Sequence, residues 1–222
     1  MCGKFTQMAT WSEVVAFSES VVMREGDEVL TATPMRFSRI IMVDSKGDRI
    51  SVAARWGFMD KRNQNNPRPK YMHARAETIE RLPAFAEPFA KARGILPVHT
   101  FNVGEEMSNG KTRQWTVRPK DGQPLAIAVV MEQYGREAEL FWSFCMVTTD
   151  ANALIAPVTD RMPAIIKSDD WPLWLGEDRA PLDDVKALLM PFDGQGDWDF
   201  APEPPKQRAP KKPKARQDDL FA

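Results

Sequence analysis

Six runs rich in β-branched and aromatic residues fill the middle of this chain: Arg39–Val43, Ile50–Trp56, Gly94–Phe101, Gln114–Val117, Leu125–Glu132 and Leu140–Thr148. Any fold the chain adopts must pair them. Turn formers such as Lys46-Gly47-Asp48 and Asp121-Gly122 separate them, as strand ends require. Helical candidates are few. Thr10 and Glu13 have capping-box spacing, and Trp11, Val14, Val15 and Phe17 suit one face of a short helix. Further helices are expected at Glu77–Ala90, with breaks at Pro83 and Pro88, and at Asp150–Ala156, Ser168–Leu175 and Leu182–Leu189. The irregular strand spacing does not alternate with helices as βαβ units do, so the pattern predicts an α+β domain of mixed strands.

With 222 residues, 43% of them hydrophobic and including seven Trp and twelve Phe, the chain can fill one sizeable core. No apolar stretch reaches the roughly 18 residues of a membrane span, and the N-terminus lacks the basic and apolar blocks of a secretory signal. A cytoplasmic location without membrane contact is expected. Two cysteines, Cys2 and Cys145, are too few for a disulfide framework, and no Cys/His cluster has zinc-ligand spacing, so neither a metal nor another cofactor is expected.

Composition changes at Asp199, where Pro202, Pro204, Pro205, Pro210 and Pro213 stand among lysines with almost no apolar residue before Leu220-Phe221. Such a segment buries too little surface to order itself. Residues 1–198 are therefore expected to form the domain and residues 199–222 a flexible tail. Six of the 30 basic residues (Lys206, Arg208, Lys211, Lys212, Lys214, Arg216) lie in that tail, beside three of the 31 acids (Glu203, Asp218, Asp219). Residues 1–202 keep 24 basic against 28 acidic side chains. The net charge of −1 thus hides a mildly acidic body, on which a nucleic-acid site must be a local basic cleft.

Met1-Cys2-Gly3 opens the chain, and Cys2 is small enough for an aminopeptidase to remove Met1. Removal leaves an amine and a thiol on one residue. An aldehyde can then condense with the amine to a Schiff base, and the thiol can close a thiazolidine ring, a route open only to a chain-terminal cysteine. An α-amino pKa of about 7.7–8.0 leaves the amine partly neutral at cellular pH, and a thiol at about 8.5 needs modest activation. Taken alone, a Met-Cys start is also compatible with an incidental second residue.

Met1-Cys2-Gly3-Lys4-Phe5, Ala32-Thr33-Pro34, Arg55-Trp56-Gly57-Phe58, His73-Ala74-Arg75-Ala76-Glu77-Thr78, Ile95-Leu96-Pro97 and Asp160-Arg161-Met162-Pro163 follow one another in an order that resembles the SOS response-associated peptidase (SRAP) family. The similarity runs from residue 1 to about residue 195. It implies a single domain of mainly antiparallel strands in an open, barrel-like sheet with flanking helices. It also implies a role in the DNA damage (SOS) response, with abasic sites in single-stranded DNA trapped covalently through Cys2 and the first residue removed, by autoproteolysis or by an aminopeptidase. Carried over residue by residue, the family's polar site is altered here. His73 stands for an asparagine, Val103 for an acid, Thr159 for a histidine and Lys4 for an arginine.

His73 is the one of these able to shuttle protons near neutral pH, against the alternative of a structural histidine that hydrogen-bonds as asparagine would. Glu105 or Glu106 could supply a displaced carboxylate. The catalytic set expected is therefore Cys2, His73, Glu105 and Thr159. Lys4, Arg75 and Arg161 are expected to meet phosphates and Trp56 to stack a base, the alternatives being an ion pair of Arg75 or Arg161 with Glu77 or Asp160 and a core tryptophan. His99 reads as a strand residue and Cys145 as a buried, inert thiol. Gln217, Leu220 and Phe221 resemble the Gln-x-x-Leu-Phe peptide that docks on sliding clamps, the alternative being a terminus without function. A monomer acting on single-stranded DNA is expected. The competing readings are a DNA-binding module that has lost its chemistry and a thiol peptidase, for which no Cys-His-Asn spacing is evident.

Overall fold

The computed structural model describes residues 4–7, 30–60, 63, 68–135, 140–194 and 196–204. Cys2, the helix expected after Thr10 and the motif at Gln217 lie outside them. The elements are β1 (Lys4–Gln7), β2 (Leu30–Ala32), β3 (Phe37–Val43), β4 (Arg49–Trp56), β5 (His73–Arg75), α1 (Ala86–Lys91), β6 (Arg93–Val98), β7 (Thr100–Glu106), β8 (Thr112–Pro119), β9 (Leu125–Tyr134), β10 (Phe141–Asp150), β11 (Arg161–Pro163), α2 (Trp171–Leu175), α3 (Leu182–Ala187) and β12 (Trp198–Pro202). The class is α+β, as the strand-rich pattern predicts.

Two sheets share a core. One runs β12-β8-β7-β1-β2 with every neighbouring pair antiparallel. The other runs β10-β4-β3-β6-β9, and β9 pairs again with β10, so these five strands close into a barrel in which only β4 and β10 are parallel. The barrel is closed where the sequence resemblance implied an open one. The cause is that β9 has a partner on each edge, β6 and β10, which leaves no free edge to expose.

Both faces of the barrel strands are covered, which explains runs of apolar residues without polar alternation. Ile41, Ile95, Ala128, Val130, Cys145 and Val147 join one cluster, with Phe89 of α1 and Trp171 and Trp174 of α2. Their neighbours Ile40, Leu96, Ile127, Val129, Phe144 and Met146 join a second, with Phe5, Phe101 and Val117 of the other sheet. A one-residue slip would exchange the two sets, so each strand's register is fixed by packing.

Several expected boundaries move. The run Gly94–Phe101 is two strands, divided at His99, whose N–H donates to Thr6 O at 3.1 Å. The helix expected over Asp150–Ala156 is a turn: Asn152 Oδ1 accepts the Ile155 N–H at 3.0 Å, offering the backbone a local alternative to a helix. The domain boundary expected at residue 198 falls inside the fold, because β12 continues to Pro202. Phe200 packs against Trp115 in a tilted pair with centroids 4.9 Å apart, and Glu203 N–H donates to Gln114 O at 2.7 Å. Proline was no obstacle there, since β12 is an edge strand.

Candidate reaction and DNA-binding site

The first described strand sets the location. β1 lies between β7 and β2, with Phe5 opposite Phe101 and Lys4 opposite Asn102. Residues directly opposed across an antiparallel pair share a face, so Phe5 points into the core and Lys4 away from it. Phe5 meets Trp56, the last residue of β4, at 5.1 Å between centroids. Trp56 is fully buried: Phe144 stacks on it at 6.2 Å, its indole N–H donates to Met72 O at 3.0 Å, and His73 meets it edge-on at 5.9 Å and 85°. Base stacking was expected of Trp56, yet its faces are taken by these rings. It supports the site from beneath.

β4 leaves the barrel at Gly57, and β5 returns the chain to it. Gly57 has φ of +111°, and a Cβ there would lie 2.4 Å from Pro69 Cβ, so this corner admits glycine alone. β5 runs parallel to β10, pairing His73 with Met146 and Arg75 with Thr148. The strand period puts His73 and Arg75 on one face, the imidazole half-buried and the guanidinium exposed.

β11 approaches β10 from its other side, pairing Arg161 with Asp150. Arg161 is buried, and its guanidinium donates to Glu77 Oε1 and Oε2 (2.8 and 3.0 Å), Asp150 Oδ1 (2.7 Å) and Thr148 O (2.7 Å). Of the two alternatives weighed for Arg161, the ion pair is the one present, with Glu77 and Asp150 in place of Asp160. The Arg161 hydrogen bonds hold the Glu77 carboxyl below its ordinary pKa despite partial desolvation. Arg161 thereby ties the turn after β5 to β10 and β11.

The remaining expected residues are placed as follows. Thr159 is half-buried, with Oγ1 3.5 Å from Asp160 Oδ1. Val103 is fully buried in the second cluster, so that position on β7 holds no titratable group. Glu105, two residues on and on the same face, accepts the Trp115 indole N–H at 2.9 Å and lies 3.8 Å from Arg113. His99 is half-buried at the break between β6 and β7. Cys145 is buried and donates to Tyr71 O at 3.1 Å, and burial pushes its thiol pKa far up, so it is inert as a nucleophile.

A polar cluster stands beside Lys4 that nothing in the sequence signals. Glu203 Oε1 accepts from Lys4 Nζ at 2.6 Å and from Asn102 Nδ2 at 3.0 Å, and Asn102 Nδ2 also reaches Thr116 Oγ1 at 2.7 Å. Glu203 lay in a proline- and lysine-rich stretch that gave no sign of tertiary contact. A cavity of about 340 Å³ lined by Phe58, Tyr71, Phe85 and Tyr134 contains none of the expected site residues. No helix among the described residues is long and apolar enough to cross a membrane.

The family model for SOS response associated peptidase (SRAP) matches residues 1–202. The chain is 25% identical over 198 residues to the abasic site processing protein YobE of Bacillus subtilis, covering 87% of this chain and 90% of that protein. It is equally similar to the abasic site processing protein YoqW of Bacillus phage SPbeta, covering 88% of it. A crystal structure of a protein from Bacteroides thetaiotaomicron has the same fold, with a TM-score of 0.78 at 22% identity over 96% of this chain and 97% of that one. With the match running from residue 1 through β12, the chain belongs to the SOS response associated peptidase family.

Proposed function

We propose that this chain processes abasic sites in single-stranded DNA by capturing the lesion's aldehyde on Cys2. The observation that carries the reading is the contact series Phe5, Trp56, His73, which brings a group able to exchange protons to within one tryptophan of the strand that begins two residues after Cys2. The relatives named as abasic site processing proteins supply the substrate class.

With Met1 removed by an aminopeptidase or by the protein itself, the Cys2 amine adds to the sugar aldehyde and one water leaves as the imine forms. The Cys2 sulfur then adds to the imine carbon while the thiol proton passes to nitrogen, closing the thiazolidine. One water is released in total, and nothing is oxidised or reduced. His73 carries protons to and from the departing water, a contribution of roughly 10²–10⁴-fold for one well-placed group. Glu105, fixed by Trp115, is the expected carboxylate on β7, and Thr159 is a hydrogen-bonding wall that cannot titrate. Exposed Arg75 meets a phosphate beside the lesion, while Arg161 acts by holding Glu77 and the β5 turn.

A denaturing gel with a single-stranded oligonucleotide bearing one abasic site tests the reading. Wild type should give a heat-stable adduct that Cys2→Ser lacks, and His73→Ala should form it at least tenfold more slowly. Equal adduct from wild type and Cys2→Ser would defeat it. The buried Val103 and the non-titrating Thr159 favour one alternative, a DNA-binding module without chemistry, and this predicts binding with no adduct. We also assign the terminal Gln217, Leu220 and Phe221 to docking on a sliding clamp, which deletion from Gln217 onward should abolish in a pull-down while DNA binding persists.

A further inference from the structure

We infer that Glu203, brought in from the C-terminal edge of the second sheet, is a positioning residue for Cys2: with Lys4 it sets the charge felt by the residue 2 amine. The inference rests on the capture reading above. Its geometry is independent of that reading.

Two strands, β1 through Lys4 and β7 through Asn102, meet one carboxylate oxygen carried by the segment after β12. Glu203 Oε1 receives the Lys4 ammonium at 2.6 Å and the Asn102 amide at 3.0 Å, and Asn102 is itself buried, with Thr116 Oγ1 at 2.7 Å. The backbone of Glu203 is fixed as well, by its N–H on Gln114 O at 2.7 Å. The carboxylate therefore sits over the directly opposed pair of Lys4 and Asn102, on the sheet face away from the Phe5 core. Lys4 and Glu203 side chains are only about one-quarter exposed, so their charges are incompletely screened.

Chain geometry supplies the link to the nucleophile. Two residues span at most about 7 Å between Cα atoms, so the Cα of Cys2 lies within that distance of the Lys4 Cα whatever path the chain takes. An unbalanced Lys4 ammonium two residues along the chain would favour the neutral, reactive amine of residue 2, and an unbalanced Glu203 carboxylate would favour the protonated, unreactive one. The pair keeps the two opposed. Other charged groups whose register puts them on this face are Glu106 on β7 and the opposed Arg118 and Asp199 on β8 and β12, all farther along the sheet from Lys4. Position 103 cannot perform this task, since Val103 is apolar and faces the core; a carboxylate from residue 203 reaches the neighbouring position 102 of the same strand.

The test uses the full chain released from a cleavable N-terminal fusion so that Cys2 is the first residue, with propionaldehyde as the probe. Thiazolidine formation is followed by intact mass as a function of pH. Glu203→Gln should move the midpoint of the pH profile down by about half a unit to one unit, and Lys4→Met should move it up by a similar amount. Glu203→Asp should hold the wild-type midpoint, and the double variant Lys4→Met/Glu203→Gln should return close to it even if each single change also lowers stability. Midpoints that stay within about 0.2 unit of wild type in both single variants, or that move in the same direction, would overturn the inference. Because the probe is not DNA, failure to capture an abasic oligonucleotide leaves this result readable and strikes only the capture reading.

Discussion

Replacing Arg161 by methionine keeps a buried apolar stem and deletes a guanidinium that makes four close hydrogen bonds, to Glu77 twice, to Asp150 and to the Thr148 carbonyl. The side chains of Glu77 and Asp150 are 47% and 77% exposed, so both regain water when their partner goes, and each ion pair is worth at most about 1 kcal/mol. The bond to the Thr148 carbonyl is buried and charge-assisted, worth about 1.5–3 kcal/mol, although that oxygen keeps the Ala76 N–H at 2.9 Å. Against these losses, the Arg161 Nε is buried with no acceptor among the described residues, a cost that disappears with the guanidinium. The balance is about 2–3 kcal/mol, or a Tm lower by roughly 4–12 °C in a chain of this size.

The same residue has a pH signature. Glu77 is held below its ordinary pKa by Arg161, so its contribution is present above the unfolded value of about 4.3 and is lost as pH falls through the folded one. The stability gap between wild type and Arg161→Met, measured by urea unfolding, should therefore narrow below about pH 4. Salt dependence supplies a functional check. A side chain that neutralises one phosphate contributes about 0.7 to the slope of log affinity against log salt for single strands, and Arg161→Met should leave that slope unchanged. A Tm within about 1 °C of wild type, or a slope smaller by about 0.7, would refute the assignment of this arginine to the protein's own interior.

Three other perturbations have definite outcomes. Gly57→Ala forces a side chain into a positive-φ corner and against Pro69, and should lower the urea-unfolding free energy by at least about 2 kcal/mol. Arg75→Gln should reduce the salt slope of single-strand binding by about 0.7 and leave Tm within roughly 2 °C, since its guanidinium is exposed. Val103→Glu buries a carboxyl whose folded pKa must rise above the unfolded 4.3. Its stability penalty should therefore grow as pH increases from about 4, and a penalty independent of pH would show that position 103 opens to solvent.

How much was legible in the sequence depended on element length and on where punctuation fell. β9 and β10 were readable because ten-residue apolar strands leave an unmistakable run. β5 and β11, three residues each, are too short for any periodicity, and only motif resemblance marked His73, Arg75 and Arg161. β6 and β7 look like one strand in the sequence because the chain breaks at His99 with no glycine or proline between Pro97 and Gly104 to mark the break. Composition misled at the end of the domain. Prolines that exclude a central strand are tolerated at the edge, so β12 and Glu203 looked like tail. For Arg161, sequence named the right alternatives, but only the register of β10 and β11 puts Asp150 opposite it. Trp56 carried the opposite lesson: nothing in the sequence reveals that Phe5, Phe144 and His73 occupy its ring.

The central claim is that a terminal Cys2 captures an aldehyde, and intact-mass measurement of the adduct with an abasic oligonucleotide tests it most directly. The account predicts one DNA strand joined to a chain lacking Met1, with a mass equal to the sum of the two less one water, resistant to borohydride and mapped to Cys2 by peptide sequencing. An adduct on a chain that retains Met1, or one that maps to a lysine and is fixed only after borohydride reduction, would contradict it.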